Sequence, residues 1–335
     1  MLRNDSASPR QPALFHCSPL ITAEARPTRR TGSPRRACAT PRALTCARHF
    51  AIIARTLAGV DISLRVLILG SGSSGNCTLV ETSTTRVLVD AGFNRKETLR
   101  RLASLDVSID RVHGILISHE HSDHIGGLAN LSRAWNGPVY ITEGTYGEYT
   151  RLVPQKQVDK LRGVEKLQLS RKFSIGDIDI TAFMIPHDAA DPVGFTLQAE
   201  GFKVSIVTDL GFLPAHVRTH LRGSDLLVLE SNHDVDMLKI GPYPWHIKQR
   251  VMSRTGHLSN HAVSEFLADG EPDGPGFDGR ARWVVLAHLS QQNNNPYVAQ
   301  QSAEEALGRR AKSCGPWQGE LQIASQDQPL GPFVF

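Results

Sequence analysis

From Leu64 onward the chain alternates short apolar runs with polar breaks, a pattern that reads as many buried strands. The runs LRVLILG (64–70), CTLVET (77–82), TRVLVDAG (85–92), GILIS (114–118) and PVYIT (138–142) predict strands in a first block. After Arg171, KFSIG, DIDITAFMI, VGFTLQAEG, FKVSIVTD, DLLVLES and RWVVLAH predict a second β-rich block. Between the strands, Asn94–Leu105 sets Leu99, Leu102 and Leu105 at helical spacing. LANLSRAW, Ala215–Leu221, Asn260–Leu267 and Tyr297–Leu307 also read as helical.

The strands come in clusters, without the strict βαβα alternation of a doubly wound fold. Two β-rich halves, each with helices packed outside, predict an α/β fold, a four-layer αββα sandwich. GSGSSGN (70–76) lies between two strands. A dinucleotide fingerprint needs a helix after it, so this glycine run predicts a tight turn instead.

Composition divides the chain. Residues 1–62 hold ten arginines against three acids, a net +7, so the remainder carries −3 of the formal total of +4. The piece is rich in Pro, Arg, Ser and Thr and has no sustained hydrophobic period, so it is expected to be a disordered basic extension. An Arg-rich transit peptide, or translation starting near Leu57 or Val60, are the other readings. Residues 63–335 are expected to form one domain. With 40% hydrophobic and 21% charged residues the chain can build a sizeable core. Phe50–Val60 is too short to cross a bilayer and is broken by Arg55, so no membrane span is expected. Five cysteines without regular spacing argue against a disulfide framework and point to a reducing cytoplasm.

The chemistry concentrates in ILISHEHSDHIGG, residues 115–127, which holds three of the 14 histidines. His119 and His121 follow a buried strand, and in extended backbone positions i and i+2 face the same side. Two imidazoles so placed can share a metal ion. Asp123 and His124 fall where the chain must turn before Gly126 and Gly127, and there they can face a second ion. Glu120 is out of phase and points away. The spacing is not that of a helical HExxH site. A plain polar loop would use Gly, Asn, Ser and Lys rather than three histidines and an aspartate. Four more candidates, Asp90, His187, Asp209 and His288, each end an apolar run, which suggests that they converge on one rim.

HEHSDH matches the H-x-H-x-D-H motif of the metallo-β-lactamase superfamily, and Asp90, His187, Asp209 and His288 follow in that family's order. The resemblance covers residues 64–335. LRVLILGSGSSGNCTLV, PHDAADPVGF, ESNHD, TGHLSN and LAHLSQQNN are similar to the YycJ/WalJ-type branch, which is related to ribonuclease Z and to phosphodiesterases. The resemblance implies two divalent metal ions, Zn²⁺ or Mn²⁺, and a 5′ to 3′ DNA exonuclease. Carried over residue by residue, His119, His121 and His187 would hold one ion. Asp123, His124 and His288 would hold the other, with Asp209 bridging. Asp90 would accept a hydrogen bond from a ligand histidine. Asp123 would also orient the attacking water, and His257 paired with Glu230 would pass a proton to the leaving oxygen. His257 has a plainer reading too, as a residue leading into the helix after Ser259.

Two basic stretches bear on DNA as a partner. Arg95, Lys96, Arg100 and Arg101 are either a phosphate-binding run or a solvated helix face. Trp245, His246 and Lys248, in PYPWHIKQR, are either a base-stacking and phosphate-binding wall or the surroundings of a buried Trp anchor. The rival functions are a small-molecule (cyclic) phosphodiesterase, a thioesterase or lactonase, and a non-catalytic metal-stabilised regulator. The residues carry no mark of oligomeric state, nor of one first-row metal over another.

Overall fold

Successive side chains of the first strand enter two different cores. Val66 and Ile68 pack on one side, Leu67 and Leu69 on the other. A strand buried on both faces shows no polar alternation, which is why these runs are continuously apolar. The computed structural model describes residues 64–270, 274 and 276–335. The expectations for residues 1–62 lie outside the described residues.

The first sheet contains β1 (Arg65–Gly70), β2 (Cys77–Glu81), β3 (Arg86–Val89), β4 (Gly114–Leu116), β5 (Pro138–Ile141) and β6 (Gly163–Lys166). The second contains β7 (Lys172–Ile175), β8 (Ile178–Met184), β9 (Val193–Ala199), β10 (Phe202–Val207), β11 (Leu226–Glu230), β12 (Trp283–Ala287) and β13 (Glu320–Ile323). The last strand, β14 (Leu330–Val334), returns to pair antiparallel with β1. The strand orders are β14-β1-β2-β3-β4-β5-β6 and β13-β12-β11-β10-β9-β8-β7.

Val66, Val80, Val87, Val89 and Leu116 of the first sheet meet Ile180, Phe195, Leu197, Val228 and Val285 of the second in a central core. Outside the first sheet, Leu102, Leu128, Leu131 and Tyr149 cover Leu67, Leu79, Leu88 and Ile115. Outside the second, Val217, Val263, Phe266, Ala299 and Ala303 cover Val207, Leu227, Leu229 and Leu286. These layers form the expected αββα sandwich.

GSGSSGN is a turn, as expected. Gly72 and Gly75 both have φ of +149°, and Asn76 ties the turn by accepting from Ser71 Oγ at 2.9 Å and Gly72 N at 3.0 Å. β6, β13 and β14 were not foreseen. The first two are half-exposed sheet edges, and GVEK and ELQI carry no apolar run. The helices Glu143–Leu152, Val235–Ile240 and Trp245–Val251 also went unforeseen. The last helix is longer than expected, Pro296–Cys314, with Ala299, Ala303, Ala306 and Arg310 forming its buried stripe.

β3 to β6 are mutually parallel, and so are β10 to β13. The loops leaving their C-terminal ends are where the candidate residues lie.

Candidate metal centre

All the candidates but His257, which lies in the turn after the helix Trp245–Val251, sit at or soon after the end of a strand. Asp90 follows β3, His119 and His121 follow β4, and Asp123 and His124 lie in the short Ser122–Ile125 helix. His187 follows β8, Asp209 follows β10, Glu230 ends β11 and His288 follows β12. Asp90, Asp209 and His288 have φ of 63°, 62° and 53°. Non-glycine residues avoid this left-handed region. Each such conformation costs on the order of 1–3 kcal/mol and persists only where the surroundings enforce it. Here it turns a side chain from strand direction into the rim.

His119, His121 and His187 place ligand nitrogens within 4.8 Å of one another. His187 Nδ1 lies 3.2 Å from the Gly256 carbonyl, which can only accept, so Nδ1 carries the proton and Nε2 is a free lone pair. That Nε2 is 3.1 Å from His121 Nδ1. His119 is fully buried, with Nδ1 at 3.0 Å from Ser118 Oγ and Nε2 without a hydrogen-bond partner among the described residues. Burial, reinforced by His124, holds the His119 pKa well below its ordinary value. Burial lowers that of His187 as well, against Asp209. Both rings are therefore neutral, the form a metal requires.

Asp123, His124, Asp209 and His288 make a second group within 4.8 Å. Asp90 Oδ2 is 2.8 Å from His124 Nδ1, while Oδ1 accepts from Ser118 N at 2.8 Å and Ser118 Oγ at 2.9 Å. This fixes the ring with Nε2 facing Asp209 Oδ2 at 3.1 Å and Asp123 Oδ2 at 3.5 Å. His288 is fixed in the same way, Nδ1 to Glu230 Oε1 at 2.9 Å and Nε2 facing Asp123 Oδ2 at 3.2 Å. Burial alone would lower both rings' pKa values, yet Asp209 and the other carboxylates outweigh it and raise them well above normal. Without a cation these rings keep a second proton, which a metal ion would displace.

The donor set fits divalent metal. A buried polar atom left unpaired costs about 1–3 kcal/mol. Among the described residues His119 Nε2 is such an atom, and it lies within the rim. Three imidazoles in one group, and two imidazoles with two carboxylates in the other, suit Zn²⁺ or Mn²⁺.

Glu230 is buried and holds two rings, not one. Oε1 accepts from His257 Nδ1 at 2.8 Å and from His288 Nδ1 at 2.9 Å. Oε2 accepts from Leu210 N and Leu258 N, both at 3.0 Å. Burial would raise the Glu230 pKa, but His257 and, after it, His288 together bring it down to about 2. With four donors taken, this carboxylate orients its neighbours and has little left for a metal. The His257 ring is 20% exposed and lies 5.3 Å from the His187 ring and 5.4 Å from the His288 ring. It stands between the two groups. Glu230 counters the burial of this ring and raises its pKa.

Three supporting residues escaped the sequence reading. Ser118 joins Asp90 to His119 and His124. Asn76 has its oxygen tied down in the glycine turn, so Nδ2 faces His124 Nε2 at 3.1 Å. Gly256 orients His187, and a Cβ there would overlap the carbonyls of Arg250 and Val251. A glycine followed by histidine in TGHLS was its only trace. Glu120 points away as expected, accepting from Ala190 N at 2.8 Å.

The two basic stretches change meaning. Arg101 is buried, donating to the carbonyls of Leu69 and Gln326 and pairing with Glu97, which also pairs with Arg100. Lys248 is buried and donates to the Lys239 carbonyl. Trp245, by contrast, is 62% exposed and is no buried anchor.

The profile of the Beta-lactamase superfamily domain matches residues 85–273. Exodeoxyribonuclease YycJ of Bacillus anthracis is 35% identical over 254 residues, 76% of this chain and 93% of that protein. Exodeoxyribonuclease WalJ of Streptococcus pneumoniae serotype 2 is 32% identical over 251 residues, 74% of this chain and 90% of that protein. Among solved structures, the metallo-beta-lactamase fold protein YhfI from Bacillus subtilis superposes with a TM-score of 0.59 at 17% identity, covering 80% of this chain and 99% of that one. The chain belongs to the metallo-β-lactamase superfamily, on the branch that holds YycJ and WalJ.

Proposed function

We propose that this chain is a metal-dependent DNA exonuclease acting 5′ to 3′, with two ions, Zn²⁺ or Mn²⁺, at the rim. The observation that carries the chemistry is the pair of adjoining ligand groups, in the first of which the buried His119 Nε2 has no hydrogen-bond partner among the described residues. The substrate class comes from the exodeoxyribonucleases YycJ and WalJ, whose lengths this chain nearly spans.

His119, His121 and His187 would hold one ion, Asp123, His124 and His288 the other, and Asp209 would bridge. Bound there, two ions supply a nucleophilic water at neutral pH and neutralise developing charge on the phosphoryl oxygens. Asp123 accepts a hydrogen bond from the attacking water and orients it. His257 donates the proton on Nε2 to the leaving oxygen, while Glu230 holds Nδ1 and the ring plane. Asp90 keeps His124 in the ligating tautomer. No helix among the described residues is long and apolar enough to cross a membrane; it is the irregular cysteine spacing that supports a reducing cytoplasm as the place of the activity.

The test is a panel of 5′-labelled DNA, RNA and bis(p-nitrophenyl) phosphate with Mn²⁺ or Zn²⁺. DNA is expected to shorten from its 5′ end, and His121→Ala to abolish this. Turnover of a thioester or β-lactam alone would overturn the reading.

A further inference from the structure

The helix Trp245–Val251 packs beside the centre without supplying a candidate ligand. Its end and the turn after it are tied to the segments that carry His257 and His187. His257 N donates to the Val251 carbonyl at 2.9 Å, and Asp188 N to the Thr255 carbonyl at 3.0 Å. From this helix Arg250 reaches Asp188 through Nε. Asp188 Oδ1 in turn lies 3.5 Å from His187 Nε2. Arg250 therefore stands one residue removed from a candidate ligand, anchored by one edge of its guanidinium.

Stability is a weak reason for that arginine. Its side chain is 55% exposed, and an exposed ion pair contributes little. Nε alone is hydrogen-bonded among the described residues, which leaves the two terminal nitrogens as a planar fork. Such a fork matches a phosphate's oxygens in a way a lysine cannot. Asp188 fixes the fork beside the rim while keeping it out of the ligand groups.

We propose that Arg250, positioned by Asp188, binds a phosphate adjacent to the scissile one and so holds the DNA strand at the metal centre. The inference rests on the nuclease reading. Arg254, four positions on, is a natural comparison. Its guanidinium lies over the Phe212 ring at 4.0 Å, and it offers the same charge without the Asp188 anchor.

The experiment uses the full chain with Mn²⁺, comparing Arg250→Ala, Arg250→Lys and Arg254→Ala on 5′-labelled single-stranded DNA and on bis(p-nitrophenyl) phosphate, which has no second phosphate. Arg250→Ala is expected to raise KM on DNA by roughly tenfold to a hundredfold with a smaller change in kcat. Its loss on the small diester should be at least about tenfold less than on DNA. The slope of log KM against log salt should fall by ~0.7, and Arg250→Lys should recover part of the loss. Metal content should stay at the wild-type level. Equal losses on DNA and diester, a loss matched by Arg254→Ala, or unchanged KM on DNA would each overturn the assignment. A wild-type protein that cleaves the diester but no DNA would instead remove the nuclease reading, and the Arg250 assignment with it.

Discussion

Glu230→Gln should cost the protein its second metal group more than its fold. The side chain keeps its shape and exchanges one acceptor oxygen for a donor NH₂. Each Glu230 oxygen now serves two donors, the imidazoles of His257 and His288 on one side and the amides of Leu210 and Leu258 on the other. Whichever way the new amide turns, two donors lose their acceptor, at about 1–3 kcal/mol each. The backbone amides cannot adapt. The imidazoles can, by giving up the Nδ1 proton and keeping one on Nε2, so the NH₂ should face the rings.

That escape has a definite chemical consequence. His288 Nε2 is the nitrogen that faces Asp123. Once protonated it no longer ligates, and loss of such an orienting partner typically weakens metal affinity by about 10–100-fold. His257 meanwhile loses the carboxylate that holds it. Metal analysis after dialysis, titration calorimetry and thermal unfolding of metal-free protein separate the effects. Metal affinity is expected to fall by that factor, and the metal-free melting temperature by only a few degrees. Wild-type metal content and affinity in Glu230→Gln would refute the account of His288's tautomer.

The other predictions are simpler. Asp90→Asn should likewise weaken metal retention by about 10–100-fold, because His124 Nδ1 loses a carboxylate acceptor; equal metal content after dialysis would contradict this. Gly256→Ala should destabilise by about 1–3 kcal/mol through overlap with the Arg250 and Val251 carbonyls, seen as a lower denaturation midpoint. Chelation should lower the melting temperature of the wild type, since metal held at 100 times its Kd adds about 2.7 kcal/mol; a midpoint indifferent to chelator would count against a resident metal. Glu97→Gln tests pH dependence. The Arg100 hydrogen bond, with Arg101, brings the Glu97 pKa from 4.5 down to about 2. Its contribution is thus present above pH 4.5 and lost as pH falls toward 2. The stability gap between wild type and variant, below about 1 kcal/mol for so exposed a pair, should close over that interval.

The sequence made the ligands visible because each one stops an apolar strand run. HEHSDH after GILIS, Asp209 after FKVSIV and His288 after WVVLA are local patterns, and a strand's end is all they require. The residues that orient them are different. Ser118 bridging Asp90 to two histidines, or Asn76 with its oxygen already spent in a glycine turn, depends on partners far away in sequence. Serine and asparagine are too common in turns to stand out. Glu230 could be matched to His257, but its hold on His288 needed β11 and β12 side by side, with Glu230 opposite Ala287. The edge strands β6 and β13 were hidden for a plainer reason. Half-exposed edges need no apolar run, and without one there is no signal to read.

Charge is where linear counting misleads most. The body's −3 argues against a partner as acidic as DNA, and the one dense basic run near its start argues weakly for it. The fold removes much of that evidence. Arg65 and Arg86 flank the buried Glu81, and Arg101 is bound to two carbonyls and Glu97. These cations answer internal needs and present little to a ligand. Arg250 counts for one charge in the sequence, two residues past Lys248, yet the fold anchors it beside a candidate ligand with its fork open. For a reaction on one phosphate at a time, the position of a single fixed cation outweighs the sign of the total.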